Sequence, residues 1–309
     1  MHNDSLKAWS HYWIEEKQLW SCPGTQEFDK NGTLRRFWES QLLASGRTQK
    51  ILDVACGNGV IGKMFFDAAI ARGLTVDIVG IDVALIREET LSHQESRLQL
   101  MGSIAVESTP FEDGSFDKIT SQYGIECSDL STSTLELARL LAPGGRMVFL
   151  THSCDSIIYK SVCAQQLAYQ QIQAENLFGL AMEFLKRDFT GGDARSVLKQ
   201  IHKSFSLLLK SEEADMLTLE SFLRRLDQLL ASRAKGSRAV VENEVNYLFK
   251  LADIATARAS SMRNATEKVS RADEFKVLCT SSGLQLQYYE PLINEAEINL
   301  GTVWEFTKP

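Results

Sequence analysis

Two carboxylates and three glycines at fixed spacing carry the first chemistry legible in this 309-residue chain. In Ile51-Leu-Asp-Val-Ala-Cys-Gly-Asn-Gly-Val-Ile-Gly62 a short apolar run ends in an acid, a glycine loop follows, and a helical pattern begins. That order predicts a strand, a tight turn and a helix N-terminus, where open α/β sheets bind nucleotide-like ligands. Glycines there let the backbone approach a ligand with no Cβ in the way, and some can take positive φ. Asp82, at the end of the next predicted strand, sits where a carboxylate accepts hydrogen bonds from both ribose hydroxyls. Gly57-Asn-Gly59-Val-Ile-Gly62 also satisfies the dinucleotide pattern, so the glycines alone leave NAD open. Asp53 argues against it. A carboxylate just before the loop would repel a pyrophosphate and suits a ligand carrying ammonium and sulfonium charges.

Acid–base chemistry has three candidates. His152 directly follows the fifth predicted strand, at the edge where ligands bind, and a histidine with a pKa near ~6.5 accepts a proton at neutral pH. Tyr123 and Glu126, after the fourth predicted strand, are its rivals. Near the N-terminus, Trp9-x-x-Tyr12-Trp13 has the spacing of one helix face. Tyr12 and Trp13 either pack on the domain or form a lid whose rings, like that of Tyr123, can face a cation. The six cysteines include no C-x-x-C pair and the five histidines do not cluster with them, so no metal site is expected.

The elements that must position these residues fall into three textures. Residues 1–45 read as an aromatic, helical N-terminal cap. Residues 46–152 alternate strands over 51–54, 77–81, 103–106, 116–121 and 146–151 with helices over 60–72, 85–98 and 134–141. Residues 153–267 carry leucine and phenylalanine at helical spacing with no proline, a helical insertion after the fifth strand with breaks at Gly191-Gly192 and Gly236. A helix over 272–280 and strands over 284–289 and 300–307 then return to the sheet, so 268–309 completes the 46–152 domain. The expected architecture is α/β: a doubly wound, mostly parallel seven-stranded sheet with a helical insertion and a helical cap. The insertion could supply substrate specificity or a homodimer interface, and the sequence does not choose.

Four segments together resemble the class I S-adenosylmethionine-dependent methyltransferase family: Asp53-Val-Ala-Cys-Gly-Asn-Gly59, Gly80-Ile-Asp82, Pro110-Phe-Glu-Asp-Gly-Ser-Phe-Asp117 and Leu141-Ala-Pro-Gly-Gly-Arg-Met-Val148. They occur in the family's order and spacing. The resemblance implies that Asp53, Gly57 and Gly59 line the methionine and ribose part of S-adenosylmethionine (SAM). It implies that Asp82 holds the ribose, with Val83 on the adenine. Glu107 and Ser108, with Thr109, would supply adenine contacts, and Ser121, Gln122 and Tyr123 would lie beside the sulfonium. Two positions depart from the pattern. Ala55 stands where many relatives carry the loop's first glycine, and the usual acid before the Pro110 segment is missing, leaving Glu107 or a backbone carbonyl for the adenine amino group.

The implied reaction is in-line methyl transfer from the sulfonium to an oxygen or nitrogen of a small molecule. The methyl is already activated, so the protein mainly supplies alignment and a dry site. Two alternatives stay open: use of another carbon of SAM, as in ring closure releasing methylthioadenosine, and a non-catalytic SAM-binding partner subunit. A net charge of −7 without a lysine/arginine cluster disfavours a nucleic-acid partner. No apolar run reaches membrane-span length and the N-terminus lacks signal-peptide order, so the expected location is the cytoplasm, without a membrane partner.

Overall fold

The computed structural model describes residues 3–18, 20–21, 29, 32–42, 47–187, 192–234 and 236–309. Gly191 of the expected Gly191-Gly192 break lies outside them, as do parts of the 1–45 segment. The chain divides into two units, Met1–Lys160 with Ser261–Pro309, and Ser161–Ser260.

The first unit is built on an eight-stranded sheet. Its centre is β1 (Gln49–Val54), whose Ile51, Leu52 and Val54 are all fully buried, as befits a strand covered on both faces. β2 (Val76–Ile81) and β5 (Phe116–Gln122) flank it in parallel. With β3 (Glu89–His93), β4 (Ser96–Met101), β6 (Leu141–Thr151), β7 (Gln285–Ile293) and β8 (Asn299–Thr307), the order is β3-β4-β2-β1-β5-β6-β8-β7. The β1–β2, β1–β5, β2–β4 and β5–β6 pairs are parallel; β3, β8 and β7 join antiparallel. The order reverses beside β1, so ligands are expected at its carboxyl end.

Among the described residues, α1 (Asn3–Ile14) and α2 (Thr33–Ser40) precede the sheet. α3 (Val60–Arg72) follows the glycine loop and closes on Gly73, whose φ of 65° suits a glycine C-cap. α4 (Leu130–Leu140) starts at Asp129, whose carboxylate accepts from the Thr132 amide at 3.1 Å. After β6 come α5 (Ile157–Ala174), α6 (Leu177–Lys186), α7 (Gly192–Leu208), α8 (Met216–Ser232), α9 (Arg238–Ser270) and α10 (Ala272–Ser281). Ser161–Ser260 is helical and has its own core, around Ile201, Leu219, Leu226 and Val245. No helix of the described residues is long and apolar enough to cross a membrane.

Two expectations fail together between β2 and β5. The helix expected over 85–98 is a β-hairpin, and the sheet has eight strands instead of seven. Leu91 and Leu98, seven residues apart, mimic a helical stripe, but Ser96, Leu98 and Leu100 are buried in alternation with Arg97 and Gln99, a period of two. The free edge of β2 takes that segment as its parallel partner, which satisfies its backbone groups. The third parallel strand is therefore 96–101, and 103–106 becomes a loop.

Candidate functional site

The glycine loop has the conformation its residues imply. Gly57 and Gly59 have φ of 53° and 76°, and a Cβ at Gly59 would lie 2.5 Å from the Leu100 side chain. Ala55 has φ 54°, a left-handed residue with a side chain, and its Cβ occupies the space that keeps residue 124 a glycine. The two acids lie beneath this turn. Asp82 accepts from the Gly57 amide at 2.9 Å and the Ala84 amide at 2.8 Å. Asp53 accepts from the Thr120 hydroxyl at 3.1 Å, while its second oxygen is buried without a hydrogen-bond partner. Burial pushes the Asp53 carboxyl up to about 7, with Thr120 opposing and Asp82 adding to the rise. Burial likewise raises Asp82 to about 6 against its two amide bonds.

A cavity of about 340 Å³ opens above the loop. Ala55, Asp82, Val83, Glu107 and Tyr123 line it, as the sequence places them near a ligand. Its walls are mostly apolar, and among the described residues lining it the charged ones are Asp82 and Glu107. A small, largely apolar cavity with few polar groups at the carboxyl edge of β1 is the geometry of a small-molecule site.

Several expected site residues do not line the cavity. Asp53, Gly57 and Gly59 belong to the strand end and loop beneath it. Ser108 is exposed, and residues 104–107 line the cavity in its place. The Ser121 hydroxyl donates to the Val54 carbonyl at 2.9 Å and accepts from the Ile125 amide at 3.0 Å, bracing two strand ends. The Gln122 carboxamide oxygen accepts from the Trp38 indole at 2.6 Å and so fastens α2. Tyr12 is buried and donates to the Trp20 carbonyl at 2.8 Å. Trp13 lines the cavity in the manner of a lid, with its ring against Gly57, where a Cβ would come within 2.6 Å.

Of the three acid–base candidates, Tyr123 lines the cavity and Glu126 and His152 stand behind it. Glu126 Oε1 accepts from the His152 backbone amide at 2.8 Å and lies 2.7 Å from His152 Nδ1. Both side chains are buried, and neither lines the cavity. The His152 ring packs on the Tyr123 ring with centroids 4.6 Å apart. Tyr123 has φ 54°, and its hydroxyl donates to the Leu300 carbonyl at 2.6 Å. A left-handed tyrosine held at both ends is strain at a site wall.

Other contributors escaped the site assignment. Trp9 stacks on Trp13 at 5.8 Å and lines the cavity; its spacing of four from Trp13 was the available signal. Ile104 and Val106 became visible only once the third strand moved to 96–101. Asn58, between the two glycines, hydrogen-bonds to three distant backbone groups, which no local pattern reveals.

Residues 28–177 match the model of the ubiE/COQ5 methyltransferase family. A malonyl-[acyl-carrier protein] O-methyltransferase of Erwinia billingiae is 32% identical over 146 residues, covering 46% of this chain and 55% of the relative. A demethylmenaquinone methyltransferase of Lactococcus lactis is 31% identical over 184 residues, 57% of this chain and 64% of the relative. A ubiquinone/menaquinone biosynthesis C-methyltransferase of Geotalea daltonii is 36% identical over 115 residues, 35% of this chain and 48% of the relative. The chain thus spans about half to just under two thirds of the length of these curated relatives.

Proposed function

Because the chain belongs to the class I SAM-dependent methyltransferase family, we propose that it methylates an uncharged, largely apolar small molecule. When bound, SAM supplies a methyl group already activated by the sulfonium. The residues present fit such a ligand. The unpartnered oxygen of Asp53 and the raised carboxyls of Asp53 and Asp82 are groups that a cationic ligand stabilises in their charged forms. Asp82 would take the ribose hydroxyls with its remaining lone pairs, Val83 and the 104–106 backbone the adenine, and the loop beside Ala55 and Gly57 the methionine end.

The acceptor follows from the charge of the walls. Among the described lining residues the charged side chains are Asp82 and Glu107, both acidic. A carboxylate acceptor, as a malonyl group presents, would enter without a counter-charge and lose hydration. A neutral ring like that of the demethylmenaquinone named for one relative would meet Trp9, Trp13 and Tyr123 instead. The nucleophile is then an O–H or N–H group or an electron-rich ring carbon. Tyr123 forms the wall nearest the acid–base candidates, with the Glu126–His152 pair as its support.

The test is product analysis by mass spectrometry with SAM and a panel of hydroxylated aromatic and acyl-carboxylate acceptors. The expected products are S-adenosylhomocysteine and a methylated neutral acceptor. Preference for the carboxylates would refute the acceptor class, and methylthioadenosine from SAM alone would refute methyl transfer.

A further inference from the structure

We propose that Asn58 is a positioning residue that holds the aromatic wall of the cavity against the glycine loop; its role in SAM binding rests on the reading above. The Asn58 amide group donates to the Trp13 carbonyl at 3.0 Å and to the Gln18 carbonyl at 2.7 Å. Its oxygen accepts from the Arg87 amide at 3.1 Å. One carboxamide between Gly57 and Gly59 therefore ties together the end of α1, the segment beyond it and the β2–β3 connection. The Trp13 carbonyl belongs to the last turn of α1, where carbonyls lack helical partners and must find others.

The consequence reaches the cavity through the Trp13 ring. That ring lies so close to Gly57 that a Cβ there would come within 2.6 Å, and it stacks on Trp9 at 5.8 Å. Both rings line the cavity. Fixing the Trp13 backbone thus fixes the distance of an aromatic face above the loop that holds the ligand. A further polar tether from α1 to the sheet side is the Ser10 hydroxyl, which accepts from the Leu85 amide at 3.0 Å.

Asn58 also lines a second, polar cavity of about 360 Å³ with Lys17, Lys63 and Arg87. Asn58 is itself buried, but its bonds to Gln18 and Arg87 are only partly so and face this cavity's edge, so water can take over its hydrogen bonds when the wall moves away. A clamp whose groups are rehydrated on release opens at low cost, because no polar group is stranded. A purely structural asparagine sealed in the core would have no such route. The same side chain therefore sets both where the wall rests and how readily it lifts to admit the cofactor.

The experiment uses Asn58→Asp in the full chain. This variant keeps the shape and the acceptor for Arg87 but turns an oxygen towards two carbonyls. Hydrogen–deuterium exchange of the ligand-free protein should quicken at least tenfold in residues 3–18 and stay unchanged in β1 and β5. The KM for SAM should rise at least fivefold while kcat changes less than twofold. Asn58→Ala, which removes the donors without adding charge, should quicken the same segment and serves if the first variant does not fold. Unchanged exchange in 3–18, or equal quickening through β1 and β5, overturns the proposal. Local quickening in a protein that binds no SAM even as wild type supports the clamp and refutes the cofactor reading instead.

Discussion

Asp82 Oδ2 accepts the backbone N–H of Gly57 at 2.9 Å. The acid proposed to hold a ribose thus also braces the loop proposed to hold the ligand. Asp82→Ala would remove both functions at once, so Asp82→Asn is the cleaner probe. It keeps an acceptor for the Gly57 amide, gives up the one that serves the Ala84 amide, and loses the charge. Hydrogen bonds to charged groups contribute about 1.5–3 kcal/mol, so SAM affinity should fall roughly ten- to hundredfold by calorimetry. Asp82→Ala should weaken binding similarly and also lower the melting temperature. Unchanged affinity in Asp82→Asn would remove Asp82 from the ligand site.

The two buried acids make a prediction about pH. Burial raises Asp53 to about 7 and Asp82 to about 6. A ligand bearing sulfonium and ammonium charges favours the ionised carboxylates, which lowers both pKa values in the complex. Binding must then release protons and tighten as pH rises through about 6 to 7, levelling above. Calorimetry in buffers of different ionisation enthalpy measures the released protons. Affinity that is flat from about pH 5.5 to 8 would show that the ligand's charge does not face these acids.

The same burial has a cost in the ligand-free fold. An unfolded aspartate titrates near ~3.9, well below the folded value of about 7 for Asp53. Between those values the folded chain holds more protons than the unfolded one, so stability falls as pH rises from about 4 to about 7. Asp53→Asn keeps an oxygen for Thr120 and cannot ionise. Its melting temperature should exceed that of wild type at about pH 8, by a gain on the order of a few kcal/mol at most, and the gap should close towards about pH 4. A constant gap across pH would mean that ionisation of Asp53 is not what costs stability.

The loop was legible in the sequence because each residue carries its own reason: Gly57 and Gly59 take positive φ, and Asp82 ends a strand beside them. What failed depends on partners far away. The hairpin at 89–101 forms because β2 needs an edge partner, which overrides the helix-like spacing of Leu91 and Leu98. Ser121 and Gln122 were placed by the family's spacing, but their side chains are taken by Val54, Ile125 and Trp38. The Gln122–Trp38 bond joins residues 84 positions apart, and nothing local announces it. His152 and Glu126 were each singled out separately, yet their 2.7 Å contact required the ends of β5 and β6 to lie side by side.

The last prediction concerns the loop's one left-handed residue with a side chain. A left-handed backbone costs an L-residue about 1–2 kcal/mol, while glycine loses about 0.5–1 kcal/mol more entropy on folding, so Ala55→Gly alone should be close to neutral. Its effect should change beside Gly124. A Cβ at Gly124 would stand 2.4 Å from the Ala55 Cβ, an overlap that must push the two loops apart. Gly124→Ala should therefore destabilise by about 1–3 kcal/mol in denaturant unfolding. Adding Ala55→Gly removes the clashing methyl and should recover most of that loss, since the remaining contacts, at 3.2 Å and 3.4 Å, are tight but not overlapping. A double-mutant cycle with additive effects would mean that the Ala55 methyl is not what excludes a side chain at Gly124.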